Sequence, residues 1–148
     1  MHIVITGASG NVGTSVIESL ATEPEVTSVL GLARRLPTWQ APKTTWAQAD
    51  VAQDELVPHL RGAVALIHLA WPFQPTHDPV RTWRSNVEGS IRTFDAAAAA
   101  GVRTIVYASS VARTRRAPRI DRSTRTGPPT AGPQTDTPCG VPEVGLSV

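Results

Sequence analysis

The chain has 148 residues, enough for one domain with its own core and too short for two ordinary ones. Its formal net charge is +2, with eight basic and nine acidic residues through Ala112 and six and three from Arg113 onward, so a near-neutral body precedes a basic tail. A single cysteine, Cys139, excludes a disulfide framework and a zinc-type cluster; no apolar run reaches membrane-spanning length and no basic leader precedes the first strand, so a cytoplasmic protein with no membrane partner is expected.

The first strand, His2 to Thr6, runs straight into Gly7-Ala8-Ser9-Gly10-Asn11-Val12-Gly13, after which the pattern turns helical. Such a turn can hold a phosphate. The first helical amides lack intrahelical partners and carry the positive end of the dipole, and glycine lets the backbone approach a pyrophosphate that a Cβ would exclude. The spacing is Gly-x-x-Gly-x-x-Gly rather than the commoner Gly-x-Gly-x-x-Gly, and a glycine turn with no ligand is the alternative. Val12, Val16, Ile17 and Leu20 then share one side of a helix that Glu23-Pro24-Glu25 ends, and Val26 to Leu32 reads as a second strand. Strand, helix and strand make a right-handed βαβ unit, the mononucleotide-binding half of a Rossmann fold. In that fold an acid at the end of the second strand receives the 2′-hydroxyl of NAD. Here Arg34 and Arg35 stand in its place, and paired guanidinium groups suit a 2′-phosphate, so NADP is expected in preference to NAD. The alternative is two solvated arginines opening a surface loop.

Leu36 to Lys43 reads as a loop and Thr44 to Ala49 as a third strand ending at Asp50-Val51, where an acid and an apolar residue can flank an adenine. Asp50 can equally cap a helix over Gln53 to Leu60, which Gly62 stops. Ala63 to Ala70 is a continuous apolar run, as for a strand buried on both faces. His68 lies within it without a second ligand at metal spacing, so a packed, hydrogen-bonded histidine and no metal site are expected. Trp71-Pro72-Phe73-Gln74-Pro75 forms a stiff aromatic loop at the strand's carboxyl end, either a substrate wall or simple loop packing. Asp78-Pro79 starts the longest helix. Its residues Val80, Trp83, Val87, Ile91, Phe94 and Ala98 mark the face expected on the sheet, with Gly101 as the stop; Asn86 is either a surface residue or one pointing to the cofactor pocket. Arg103 to Ala108 is a fifth strand, followed by Ser109-Ser110. The whole reads as an α/β Rossmann-like parallel sheet of five strands, order 3-2-1-4-5, with flanking helices.

GASGNVG at 7 to 13, DV at 50 and 51, HLA at 68 to 70, NVEG at 86 to 89 and YASS at 107 to 110 follow one another as do the landmarks of a known group. The chain resembles the NAD(P)-dependent epimerase/dehydratase family, the extended short-chain dehydrogenases/reductases, over Met1 to about Ala112. The resemblance implies a hydride-transferring enzyme acting on a carbonyl or alcohol of a nucleotide sugar or related small molecule. It implies Gly7, Gly10 and Gly13 in the phosphate turn, amides of Asn11 and Val12 on the pyrophosphate, and Leu69 and Ala70 as ribose and nicotinamide contacts; Ser9, Asp50, Val51 and Asn86 stand with them as candidate cofactor-binding residues. It gives Ser110 the hydrogen bond to the reacting oxygen. Members of the family also use a Tyr-x-x-x-Lys helix, whose tyrosine moves the proton and whose lysine lowers the tyrosine pKa. Here the only tyrosine, Tyr107, precedes the serines and the only lysine, Lys43, lies in an early loop. Without a tuned acid/base the proton transfer loses about 10² to 10⁴ in rate, so turnover by this chain is not expected.

Residues 113–148 change abruptly to Arg, Pro, Thr and Gly with no periodic apolar face, and read as a disordered tail beyond an incomplete domain at 1–112. Such a composition fits a GC-rich gene read out of frame from near Val111 or Ala112, in which case another frame encodes Tyr-x-x-x-Lys. The fifth strand then ends the sheet as an open, aggregation-prone edge, and the family's homodimer interface is expected to be lost. Two other functions remain: a non-catalytic NADP-binding sensor, and a nucleic-acid binder using Arg113, Arg115, Arg116, Arg119, Arg122 and Arg125. Against the second, the tail has no aromatic residue for stacking on bases.

Overall fold

A computed structural model of the chain describes residues 1–72 and 78–108. Phe73, Gln74 and Pro75 of the aromatic loop, Ser109, Ser110 and the basic tail lie outside the described residues.

Five parallel strands form one sheet in the order β3-β2-β1-β4-β5: β1 His2–Thr6, β2 Ser28–Ala33, β3 Thr44–Gln48, β4 Ala65–His68 and β5 Thr104–Tyr107. The expected order is therefore the observed one. β1 lies between β2 and β4, Val4 pairing with Leu30 on one side and Leu66 on the other. Because successive side chains in a strand alternate faces, β1 feeds two cores. Val4 packs with Leu32, Leu56, Leu60, Leu66, Ala96 and Ala97, while Ile3 and Ile5 pack with Ala8, Ile17, Val26 and Val29. The second core is covered by α1, Asn11–Thr22. The first is covered by α2, Val57–Leu60, and by α4, Gly89–Ala99. Helices on both faces of a parallel sheet are what βαβ crossovers produce.

Three elements depart from the sequence reading. The helix expected from Gln53 is helical only over Val57–Leu60, because Pro58 has no N–H to give and its ring would strike the carbonyl of residue 54 in any longer helix. The residues before it form a tight turn instead, with the Asp50 Oδ1 accepting from the Ala52 N–H at 3.0 Å and the Asp54 Oδ2 accepting from the Asp50 N–H at 2.7 Å. In α1, Val12 does not join the buried side: it is exposed, and Gly13 and Ile17 are buried.

The long helix is the largest departure. Asp78 caps it as expected, its Oδ1 accepting from the Arg81 N–H at 2.9 Å with Pro79 in the first turn, and α3 runs over Pro79–Trp83. A π-helical turn then occupies Arg84–Glu88 before α4 begins at Gly89. A π-turn wedges one extra residue into the ladder and rotates the helix beyond it. The expected face is not the buried one: Val80, Trp83 and Ile91 are each more than half exposed, whereas Asn86, Gly89, Ser90, Thr93, Ala96 and Ala97 are buried. Small side chains let the helix approach closely, since a Cβ on Gly89 would come within 2.9 Å of the Val51 Cγ2. The buried hydroxyls are satisfied within the helix, Ser90 Oγ donating to the Asn86 carbonyl at 2.6 Å and Thr93 Oγ1 to the Gly89 carbonyl at 2.7 Å.

Candidate functional site

The carboxyl ends of β1, β2, β3 and β4 meet in an open cleft of about 250 Å³. Its lining contains Gly7, Ser9 and Gly10 from the first turn, Arg34 and Arg35 after β2, Asp50 and Val51 after β3, and Leu69, Ala70, Trp71 and Pro72 after β4. This is where open parallel sheets place their ligands, at the switch point between crossovers running in opposite directions.

The glycines of the turn have different tasks. Gly7 adopts φ +69°, and a Cβ there would lie 2.7 Å from backbone atoms of Leu69 and Ala70, so the turn is pressed directly against the end of β4. A Cβ on Gly13 would lie 2.5 Å from the Ala8 carbonyl oxygen; Gly13 is buried and seats the helix on the turn, outside the cleft wall. Gly10 is the N-cap of α1, where a Cβ would meet only the Gly7 carbonyl oxygen, at 3.3 Å. No side chain caps this helix and no acid stands in its first turn, so the amides at Asn11 and Val12 and the dipole's positive end are open to an external anion. These features fit a dinucleotide's diphosphate.

Across the cleft, both arginines are exposed and neither guanidinium has a carboxylate partner among the described residues. The Gln48 Nε2 donates to the Arg34 carbonyl at 3.1 Å, tying the loop backbone to the end of β3. Asp50 lines the cleft, and its Oδ1 accepts from the Ala52 amide, so the cap expected of it closes a turn and not a helix. Val51 is buried and shared between the cleft wall and the core under α4. Asn86 is outside the lining: it is buried, and its Nδ2 donates to the Pro72 carbonyl at 3.3 Å, fixing the loop after β4.

The residue before it, Ser85, does line the cleft, and sequence reasoning missed it. Its only signal was its position next to Asn86, because an α-helical projection takes no account of a π-turn. Leu32, Ala33 and Ala49 were also missed as lining residues. They sit at or just past strand ends, where that position alone marks them.

Beneath the cleft His68 is 1 % exposed, with Nδ1 2.5 Å from Thr6 Oγ1 and Nε2 2.9 Å from Ser90 Oγ. Ser90 gives its own proton to the Asn86 carbonyl, so its oxygen accepts from Nε2–H and Thr6 donates to Nδ1. Burial pushes the imidazole pKa down to about 4. The ring is neutral and structural, as the sequence reading expected. Among the described residues no three His, Cys, Asp or Glu side chains gather to hold a metal ion, and no helix is long and apolar enough to cross a membrane.

Comparison with known proteins agrees with this geometry. The NAD dependent epimerase/dehydratase family model matches residues 3–141, reaching past the stretch to about Ala112 over which the sequence resembles the family. L-arabinose 1-dehydrogenase (NAD(P)(+)) from Haloferax volcanii is 29% identical over 110 residues, covering 74% of this chain and 41% of that protein. Among solved structures, a mutant of uronate dehydrogenase from Agrobacterium tumefaciens complexed with NAD superposes with a TM-score of 0.62 at 26% identity, covering 74% of this chain and 40% of that one. A short-chain dehydrogenase/reductase superfamily protein from the same organism with bound NAD superposes at 0.64 with 33% identity, covering 74% and 33%. The chain thus spans about two-fifths or less of the length of these relatives. With the sheet order, the glycine turn and the matched residues all in agreement, the chain belongs to the NAD dependent epimerase/dehydratase family.

Proposed function

We propose that this chain is a dinucleotide-binding module that takes NADP in preference to NAD and does not turn over substrate by itself. The observation that carries the reading is the pair Arg34 and Arg35 lining the same cleft as the turn before the first helix. A 2′-phosphate offers three oxygens to planar guanidinium donors, whereas a 2′-hydroxyl needs an acceptor that the end of β2 does not supply. Asp50 and Val51 flank the adenine, the diphosphate sits on the Gly7 to Val12 turn, and Leu69 and Ala70 border the nicotinamide ribose.

The bound dinucleotide would supply a hydride acceptor or donor. Ser110 would orient the carbonyl oxygen that receives or loses the hydride, but a tyrosine set one helical turn from a lysine is missing. Lys43 precedes β3 at the amino end of the sheet and donates to the Glu23 carbonyl at 2.8 Å, while Tyr107 ends β5 at the opposite, carboxyl end. These two cannot serve one proton transfer. The relatives' names concern sugars and sugar acids, and that substrate class belongs to an active site this chain completes only in part. The same geometry serves a sensor that reports NADP without consuming it.

Calorimetric titration of NADPH and NADH tests the reading. NADPH is expected to bind more tightly, and Arg34→Ala with Arg35→Ala to erase the preference by about tenfold or more, the worth of one charge-assisted bond. Equal affinity for the two in the parent chain overturns the arginine clamp, and measurable sugar oxidation overturns the claim of no turnover.

A further inference from the structure

We propose that the Trp71 indole is a recognition platform for the nicotinamide ring and makes this cleft favour the oxidised cofactor over the reduced one. The proposal rests on the dinucleotide reading above. Along the cleft the order of elements fixes which end is which. Arg34, Arg35, Asp50 and Val51 follow β2 and β3 on one side of the Gly7 turn, whereas Trp71 follows β4 on the other. A dinucleotide with its diphosphate on the turn and its adenosine toward the arginines presents its nicotinamide to the β4 side.

The tryptophan is built into place there. Its backbone N–H donates to the Leu69 carbonyl at 2.8 Å, closing a tight turn just past the end of β4. The next residue is a proline, Pro72, whose carbonyl is held by the Asn86 side chain at 3.3 Å. The indole meets the Tyr107 ring edge to face, with centroids 6.4 Å apart at 68°. Tyr107 in turn stacks on the buried His68 ring at 5.5 Å and 18°. Trp71 nevertheless keeps 40 % of its surface exposed and lines the cleft beside Ser85. A large aromatic residue in contact with a second ring, partly exposed and lining a cleft, is preorganised for a planar ligand.

The redox preference follows from charge. The oxidised nicotinamide ring is a flat cation, and the face of an indole carries the negative side of its quadrupole; the reduced ring is neutral and puckered. Among the described lining residues no carboxylate stands on the β4 side to attract the cation, Asp50 being across the turn. The indole face therefore supplies the discrimination.

The test is calorimetric titration of the 148-residue chain with NADP⁺, NADPH and 2′-phospho-ADP-ribose, which lacks the nicotinamide. Trp71→Leu keeps apolar bulk at a half-exposed position and removes the π face; Trp71→Phe keeps a smaller one. The leucine variant is expected to lose NADP⁺ affinity relative to NADPH by about 2- to 30-fold. The phenylalanine variant should retain part of the preference, and 2′-phospho-ADP-ribose should bind all three proteins alike. An unchanged NADP⁺ to NADPH ratio, or equal losses for both, overturns the platform while leaving the dinucleotide reading intact. Failure of the parent to bind 2′-phospho-ADP-ribose overturns the dinucleotide reading itself, and the platform with it.

Discussion

At the scale of single residues, His68 has the clearest energetic signature. Its folded pKa of about 4 lies below the ordinary 6.5, so between these values the unfolded chain binds a proton that the folded chain refuses. Stability contributed by the neutral ring is fully present above pH 6.5 and is lost as pH falls through about 4. The shift corresponds to roughly 3 kcal/mol. Urea unfolding at pH 7 and pH 4 should show the parent losing about that much more stability than His68→Gln, which has no proton to gain. Equal losses would show that the acid sensitivity resides elsewhere. The sequence disclosed that this histidine is structural, because no second ligand lies near it in the chain. It could not disclose Thr6 and Ser90 as partners, which are brought to the ring from a strand 62 residues away and a helix 22 residues away.

At the scale of elements, the helix around Asn86 separates two ways of choosing a buried face. Hydrophobicity selects Ile91; the structure selects Thr93, fully buried, with Ile91 54 % exposed. Thr93→Leu should cost about 1 to 3 kcal/mol by overpacking a close helix-to-sheet contact. Ile91→Ser should change stability by less than about 0.5 kcal/mol, as at an ordinary surface position. Thermal melts of the two variants check the pair, and the reverse ranking would restore the hydrophobic face. The strands were legible because β-branched runs bounded by glycine and proline have few other homes, and the sheet order followed from the βαβ rule. The helical face was not, for two reasons of packing. Close approach favours small side chains over apolar ones, and the π-turn at Arg84–Glu88 breaks the even spacing on which any periodic reading depends. The cleft was legible in its glycines, arginines and Asp50, each of which lines it save the buried Gly13; Ser85 depended on the turn that no periodicity announces.

At the scale of the whole molecule, the described residues all fall within one compact unit, and the described cleft lining is contained in it. Every described lining residue precedes Asn86. Deleting residues 112–148 is therefore expected to leave NADPH affinity within about threefold of the parent, well under the tenfold that marks the loss of one strong bond. A larger loss in calorimetry would assign the basic segment a part in binding. Among the described residues β5 closes one side of the sheet with Ile105, Val106 and Tyr107 each at least 40 % exposed. The place of β1 at the middle of the sheet has a consequence for synthesis on the ribosome. Made before β4, β1 can pair on its second side only once that strand has emerged, about sixty residues later, so the nascent chain carries an apolar strand half-sheltered over that interval.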